Sequence, residues 1–161
     1  MRRRRGHAVR QRFGCIILGA PGSGKTTALR DMIRLFSERG YRVGVADERG
    51  EISGDGEFDL GPCSDVITGL SKAESAMLLL RGMNPQIIAM DEITQSADAD
   101  AIRELCCCSV ELLATAHARN ADELLQRRVF AELLDTGAFK YALSIRGAGS
   151  ARSYELEGLY V

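Results

Sequence analysis

The segment FGCIILGAPGSGKTTALRDMIRLF, residues 13–36, constrains this chain more than any other part of it. A short apolar run enters a glycine-rich octet without a linker, and an amphipathic stretch follows at once. The octet, Gly19 to Thr26, satisfies G-x-x-x-x-G-K-[ST] in full. It also has the required context, a buried strand before it and a helix after it. Gly22 and Gly24 permit backbone conformations that turn successive N–H groups inward as an anion nest. The helix starting near Lys25 adds its dipole and unpaired amides. Lys25 can reach the β- and γ-phosphates of a nucleotide, and the Thr26 hydroxyl can ligate Mg²⁺. A nucleoside triphosphate site is therefore expected, with the rest of the chain folded around it.

The remaining pattern alternates apolar runs with amphipathic segments. Residues 13–19, 41–47, 86–92 and 110–117 read as strands. Ala28, Leu29, Met32, Ile33 and Phe36 share one helical face, and that helix should end near Gly40. Residues 50–64, rich in glycine and acids, are expected to form a long loop or a short hairpin. SKAESAMLLLRGM (71–83) reads as a helix, and Asn84-Pro85 breaks it before the next strand. Asp98 or Asp100 should cap a helix running through Ile102 and Leu105 to the cysteines. ADELLQRRVFAELLDTG reads as helical, in one piece or two, with Gly137 as its C-cap. FKYALSIRG and RSYELEGLYV read as a hairpin closing one edge of the sheet. Strand–helix alternation of this kind predicts an α/β fold with a mostly parallel sheet.

Two further stretches carry chemistry. IIAMDE ends an apolar strand on Asp91 and Glu92. In a P-loop fold an acid there faces the magnesium through its water shell, which is the place of Asp91. Glu92 then stands to polarise the attacking water as a general base. LLATAH ends in Thr115 and His117. If this strand lies between the cradle strand and the Asp-Glu strand, its tip faces the γ-phosphate, where Thr115 or His117 could sense it. VADERGEI sets Asp47, Glu48, Arg49 and Glu51 behind another apolar run. In a parallel sheet that strand end opens onto the same crevice. Glu48 is thus a rival or helper to Glu92 for positioning water, and Arg49 a charge partner within the loop or across a subunit boundary. The guanine-specifying N/T-K-x-D pattern is missing, which favours adenine.

Composition narrows the class. At 161 residues the chain is read as a basic tail over 1–12 followed by one domain over 13–161. MRRRRGHAVRQR holds six arginines and no acid, and reads first as a disordered tail, second as a phosphate or anionic-lipid contact. A net charge of −1 gives no strong nucleic-acid signal. No apolar run of about 18 residues and no leader pattern occurs, so a cytoplasmic location is expected, peripheral to a membrane only through partners. The five cysteines lack C-x-x-C spacing, so Cys15, Cys63, Cys106, Cys107 and Cys108 are expected as buried or half-buried free thiols rather than zinc ligands or disulfides.

GAPGSGKTTALRDMIR, VADERGEI, DVITGLSKAESAMLLLRGMNPQIIAMDEI and AIRELCCCSVELLATAHA together resemble the ATPase domain of the stage III sporulation protein AA family. That family is related to the secretion-type, RecA-like ATPases of type II and type IV systems, and the resemblance runs from about residue 13 to 147. It implies a RecA-like P-loop NTPase fold, its sheet flanked by helices on both faces. It further implies an ATP- and Mg²⁺-dependent motor, a homo-oligomer of hexameric form, docked to a membrane channel or secretion apparatus. It puts the phosphate cradle on Gly19, Ala20, Pro21, Gly22, Ser23, Gly24, Lys25, Thr26 and Thr27, and the metal-facing acid on Asp91. Glu92 and the acids of DERGE would supply the catalytic carboxylates, and His117 the histidine at a strand end. The family carries a sizeable domain ahead of this core, where only twelve residues precede the first strand here; an isolated core or a shortened relative is expected.

The leading expectation is an ATPase cycling within an oligomer, which needs an arginine from a neighbouring subunit. Arg49, Arg127, Arg128 and Arg146 are candidates. A nucleotide-switched assembly module that does not hydrolyse ATP is the second reading, and Glu92 speaks against it. A small-molecule phosphotransferase is the third: no long arginine-rich lid supports it, although Arg127 and Arg128 keep it open.

Overall fold

Strands β1 (Cys15–Gly19), β2 (Val43–Asp47), β4 (Ile87–Met90) and β5 (Glu111–Ala116) are apolar along nearly their whole length because both faces of each are covered. Their side chains alternate between two cores. Ile16, Leu18, Ile88, Met90, Leu112 and Ala114 point to one face, while Cys15, Ile17, Val43, Val45, Ile87 and Leu113 point to the other. A computed structural model describes residues 13–159. The basic tail expected at residues 1–12 lies outside the described residues.

Three more strands, β3 (Ser64–Thr68), β6 (Tyr141–Arg146) and β7 (Ser153–Gly158), complete a seven-stranded sheet of order β3-β2-β4-β5-β1-β6-β7. All neighbours pair in parallel except β6 with β7, which form the antiparallel edge hairpin. Helix α1 (Lys25–Glu38) covers one face with Leu29 and Ile33. The helices α2 (Lys72–Met83), α3 (Ser96–Cys107), α4 (Ala121–Leu125) and α5 (Arg128–Leu134) carry the residues of the opposite core. Because β2, β4, β5 and β1 run parallel, Asp47, Met90, Ala116 and Gly19 end on one edge of the sheet, where a crevice opens. As expected, β5 separates β1 from β4. No described helix is long and apolar enough to cross a membrane.

Three expectations need correction, and two open alternatives are decided. Residues 50–64 take the loop form, as turns with a 3₁₀ turn at Gly54–Gly56, but they lead into β3, an edge strand that the sequence pattern hid. Its residues are exposed or half-buried on both faces, so no apolar alternation marks it. Neither Asp98 nor Asp100 is the N-cap of α3. Gln95 is, and Asp98 completes a capping box from within the first turn while Asp100 pairs with Arg103 at 2.6 Å. Of the two forms open for the helical stretch after Asn120, the structure has the two-piece one, with the break between Leu125 and Arg128. Finally, Cys107 and Cys108 are exposed, whereas Cys15 and Cys106 are buried. Burial pushes the Cys15 thiol up to about 11, which keeps it in the unreactive form.

Candidate nucleotide site

The loop from Ala20 to Gly24 joins β1 to α1, and its backbone follows from its glycines. Gly22 (φ 74°) and Gly24 (φ 98°) lie in the left-handed region that other residues avoid. Gly24 is the N-cap of α1 and offers no side chain to the helix amides, and no acid stands in that first turn. By contrast, the N-termini of α2 and α3 are closed by the capping boxes of Ser71 with Glu74 and of Gln95 with Asp98. The first amides of α1 therefore lack an internal partner, which suits an external anion.

Side chains from the start of α1 and from the segments past β2, β4 and β5 converge beside this loop. Lys25 donates to the Ala20 carbonyl at 2.8 Å and lies 3.1 Å from His117 Nδ1. An ammonium can only donate, so Nδ1 accepts and the imidazole proton resides on Nε2. That Nε2 faces Glu92 Oε1 at 3.0 Å. Arg49 approaches the other Glu92 oxygen at 3.9 Å. Burial pushes the Lys25 ammonium below the ordinary lysine value, against the opposing pull of Asp91 and then Glu92.

Asp91 stands just past β4. One of its oxygens accepts from Thr26 Oγ1 at 3.0 Å, the other from the Thr115 hydroxyl. Thr115 also accepts the Glu92 N–H at 2.8 Å, and its carbonyl accepts from Ile93 N–H at 3.0 Å. These bonds hold Glu92 at φ 48°, a left-handed conformation rare for a side chain of its kind. Asp91 and Thr26 thus present adjacent hard oxygens, the donor type that Mg²⁺ takes. Lys25, Thr26, Asp91, Glu92, Thr115 and His117 line one cleft with Pro21, Gly22, Gly24, Thr27, Glu51 and Arg152. Its cavity volume is about 430 Å³, in the range of sites that hold a small-molecule ligand.

The acidic loop after β2 divides its work. Asp47 is buried and turns inward, accepting from Ile52 N–H at 3.0 Å, Ser53 N–H at 2.9 Å and Ser53 Oγ at 2.8 Å. Glu48 lines a shallow depression with Arg49, Asp91 and Glu92 beside the main cleft. Its carboxylate meets Lys72 Nζ at 3.2 Å, and Lys72 also lies 3.9 Å from Asp98. Among the candidate arginines, Arg128 pairs with Glu132 at 2.9 Å and Arg146 with Glu155 at 2.9 Å, while Arg127 is the N-cap residue of α5.

Two residues near the site escape sequence reasoning. Lys72 reads as an ordinary first residue of a helix, and Arg152 as part of a polar hairpin turn. Only the tertiary packing brings one beneath the acidic loop and the other to the phosphate cradle.

Comparison with known proteins agrees with this architecture. Residues 4–160 match the family described as sporulation stage III, protein AA. The chain is 32% identical over 156 residues to stage III sporulation protein AA of Bacillus subtilis (strain 168), an alignment covering 89% of this chain and 51% of that protein. It is 31% identical over 132 residues to the uncharacterized protein ycf45 of Porphyra purpurea, covering 78% of this chain and 23% of that protein. The chain thus spans about half the length, or less, of these curated relatives. In structure it resembles the VirB11 ATPase of the Brucella suis type IV secretion system in complex with sulphate (TM-score 0.68, 15% identity, 91% of this chain, 48% of that one). It also resembles the pilus retraction motor PilT with bound ADP (TM-score 0.68, 19% identity, 92% of this chain, 48% of that one). At such identities the likeness is one of fold: a RecA-like P-loop sheet of the secretion-ATPase type.

Proposed function

The chain belongs to the sporulation stage III protein AA family, and on that premise we propose that it binds ATP with Mg²⁺ and hydrolyses it to ADP and phosphate. The observation that carries this reading is the convergence of Lys25, Asp91, Glu92 and His117 on an uncapped, glycine-built helix N-terminus. The ADP in the pilus motor and the sulphate in the secretion ATPase support it by analogy of fold.

The residues have separable tasks. Backbone amides of Gly22 to Thr27 and the Lys25 ammonium would hold the β- and γ-phosphates. Thr26 and Asp91 would hold Mg²⁺, which when bound supplies positive charge against the phosphate oxygens. Glu92, held by His117 and by its backbone bond to Thr115, accepts a proton from the attacking water. The water oxygen bonds to the γ-phosphorus, the bond from that phosphorus to the β–γ bridging oxygen breaks, and ADP leaves with the electron pair. Glu48, paired with Lys72, positions the acidic loop and Arg49 beside Glu92. Oligomerisation into a ring, with an arginine of a neighbouring subunit completing the site, and docking to a membrane channel belong to the same proposal through the family.

Phosphate release measured with and without Glu92→Gln, across protein concentration, tests it. Release that rises more than linearly with concentration and vanishes in the variant supports an oligomeric ATPase. Tight ATP binding without turnover in the unaltered protein would make it a nucleotide switch, and phosphate transfer to a small acceptor would make it a phosphotransferase.

A further inference from the structure

Arg152, in the turn between β6 and β7, lies against the phosphate cradle. A Cβ built on Gly24 would sit 3.0 Å from its Cζ and 3.1 and 3.3 Å from its two terminal nitrogens. Three near-equal distances mean that the guanidinium lies flat on Gly24, where any side chain would displace it. Gly24 is required for its left-handed φ, and a side chain there would push the guanidinium back by a few tenths of an ångström.

The guanidinium has no counter-charge among the described residues. Among the described residues it forms no ion pair, whereas Arg146 at the other side of the same turn pairs with Glu155 at 2.9 Å. Its Nε is buried with no hydrogen-bond partner among the described residues. Buried polar atoms are nearly always satisfied, so a half-buried cation left open beside uncapped helix amides points to an anion from outside the chain. It lines the same cleft as Lys25, Thr26 and Thr27.

Resting on the nucleotide reading of this cleft, we infer that Arg152 is a phosphate-binding residue supplied by the protomer's own β6–β7 hairpin, contacting the polyphosphate chain of the bound nucleotide. Nucleotide binding thereby clamps that hairpin onto the cradle. The hairpin ends in β7, an edge strand exposing Tyr154 and Leu156, so occupancy is communicated to an open sheet edge.

The test compares the full chain with Arg152→Gln and Arg152→Lys. Binding of ATP and of inorganic tripolyphosphate is titrated, and the melting temperature is recorded without ligand. Arg152→Gln should weaken both ligands by about ten- to a hundredfold, the span of one charge-assisted hydrogen bond, and Arg152→Lys by less. The ligand-free melting temperature of Arg152→Gln should not fall, since the guanidinium has no partner to lose. If Arg152→Gln unfolds, the inference that this side chain serves a ligand rather than the fold is overturned. Equal binding by the unaltered protein and Arg152→Gln overturns it too, while the nucleotide reading survives. Weakened ATP with unchanged tripolyphosphate moves the contact to the nucleoside and also overturns it. An unaltered chain that binds neither ligand overturns the nucleotide reading itself.

Discussion

His117 links Lys25 to Glu92: its Nδ1 takes a hydrogen bond from the Lys25 ammonium at 3.1 Å and its Nε2 faces Glu92 at 3.0 Å. The lysine of the cradle and the candidate base are therefore held by one imidazole. Lys25 spends two of its three ammonium protons on the Ala20 carbonyl and His117, which leaves one for an incoming anion. His117→Phe removes both hydrogen bonds while keeping a ring in the cleft. It should lower turnover by about 10²-fold, the scale of a displaced acid–base group. ATP affinity should change by less than about threefold, because Lys25 keeps its bond to Ala20 and its remaining protons for a phosphate. Steady-state kinetics beside equilibrium binding decide it, and a collapse of affinity with unchanged turnover number would make His117 a phosphate ligand instead.

Glu48 and Glu92 share a depression but not a setting. Glu48 is 3.2 Å from Lys72, a nearly buried ammonium that also faces Asp98. Neutralising Glu48 leaves Lys72 with a single, more distant carboxylate, so Glu48→Gln should cost roughly 1 kcal/mol in urea unfolding. Its turnover should fall by less than about tenfold, against roughly 10²–10⁴-fold for Glu92→Gln. The reverse ranking in phosphate release would give the water to Glu48.

Asp47 belongs to the same acidic loop but serves its fold. The buried carboxylate accepts three hydrogen bonds from Ile52 and Ser53 and so bends residues 48–53 back over the sheet edge. In Asp47→Asn an amide NH₂ must face an N–H donor, and one bond becomes a clash. The expected loss is about 2–4 kcal/mol in a denaturant titration. Hydrogen exchange should quicken at residues 48–53 first, and unchanged exchange there would show that the loop is held by other contacts.

How far the sequence reads through to this structure depends on where the determinants lie along the chain. Central strands such as CIILG and IIAM are buried on both faces, so they stand out as unbroken apolar runs. The cradle is legible because its chemistry is contiguous from Gly19 to Thr27. Asp91 and Glu92 are legible because a strand end is a local feature. The strand Ser64–Thr68 is not, because an exposed edge needs no apolar side and its partner β2 is distant in sequence. The cap of α3 is hidden from the sequence because Gln95 does what aspartate or serine commonly does. Lys72 and Arg152 carry no local signal at all, since what defines them is the neighbour that folding gives them. The odd thiols divide the same way, as only packing separates buried Cys106 from exposed Cys107.

Lys25 has a stability consequence opposite to its functional one. Burial holds its ammonium below the ordinary lysine value even though Asp91 and Glu92 favour the charge. The folded chain thus binds fewer protons than the unfolded chain between the lowered value and the ordinary one. By linkage, stability rises with pH across that window. Below the window the penalty for burying the charge is present in full, so at neutral pH the ligand-free fold carries it. Lys25→Met retains the stem packing, and water in the open cleft can serve the Ala20 carbonyl and His117 Nδ1 that the ammonium leaves. The variant should melt at or above the temperature of the unaltered protein at pH 7. It should lose the alkaline rise in stability, and it should no longer bind ATP measurably. Melting curves from pH 7 to pH 11 on both proteins provide the check. A lower melting temperature for Lys25→Met at neutral pH would mean that the ammonium's hydrogen bonds to Ala20 and His117 outweigh its desolvation.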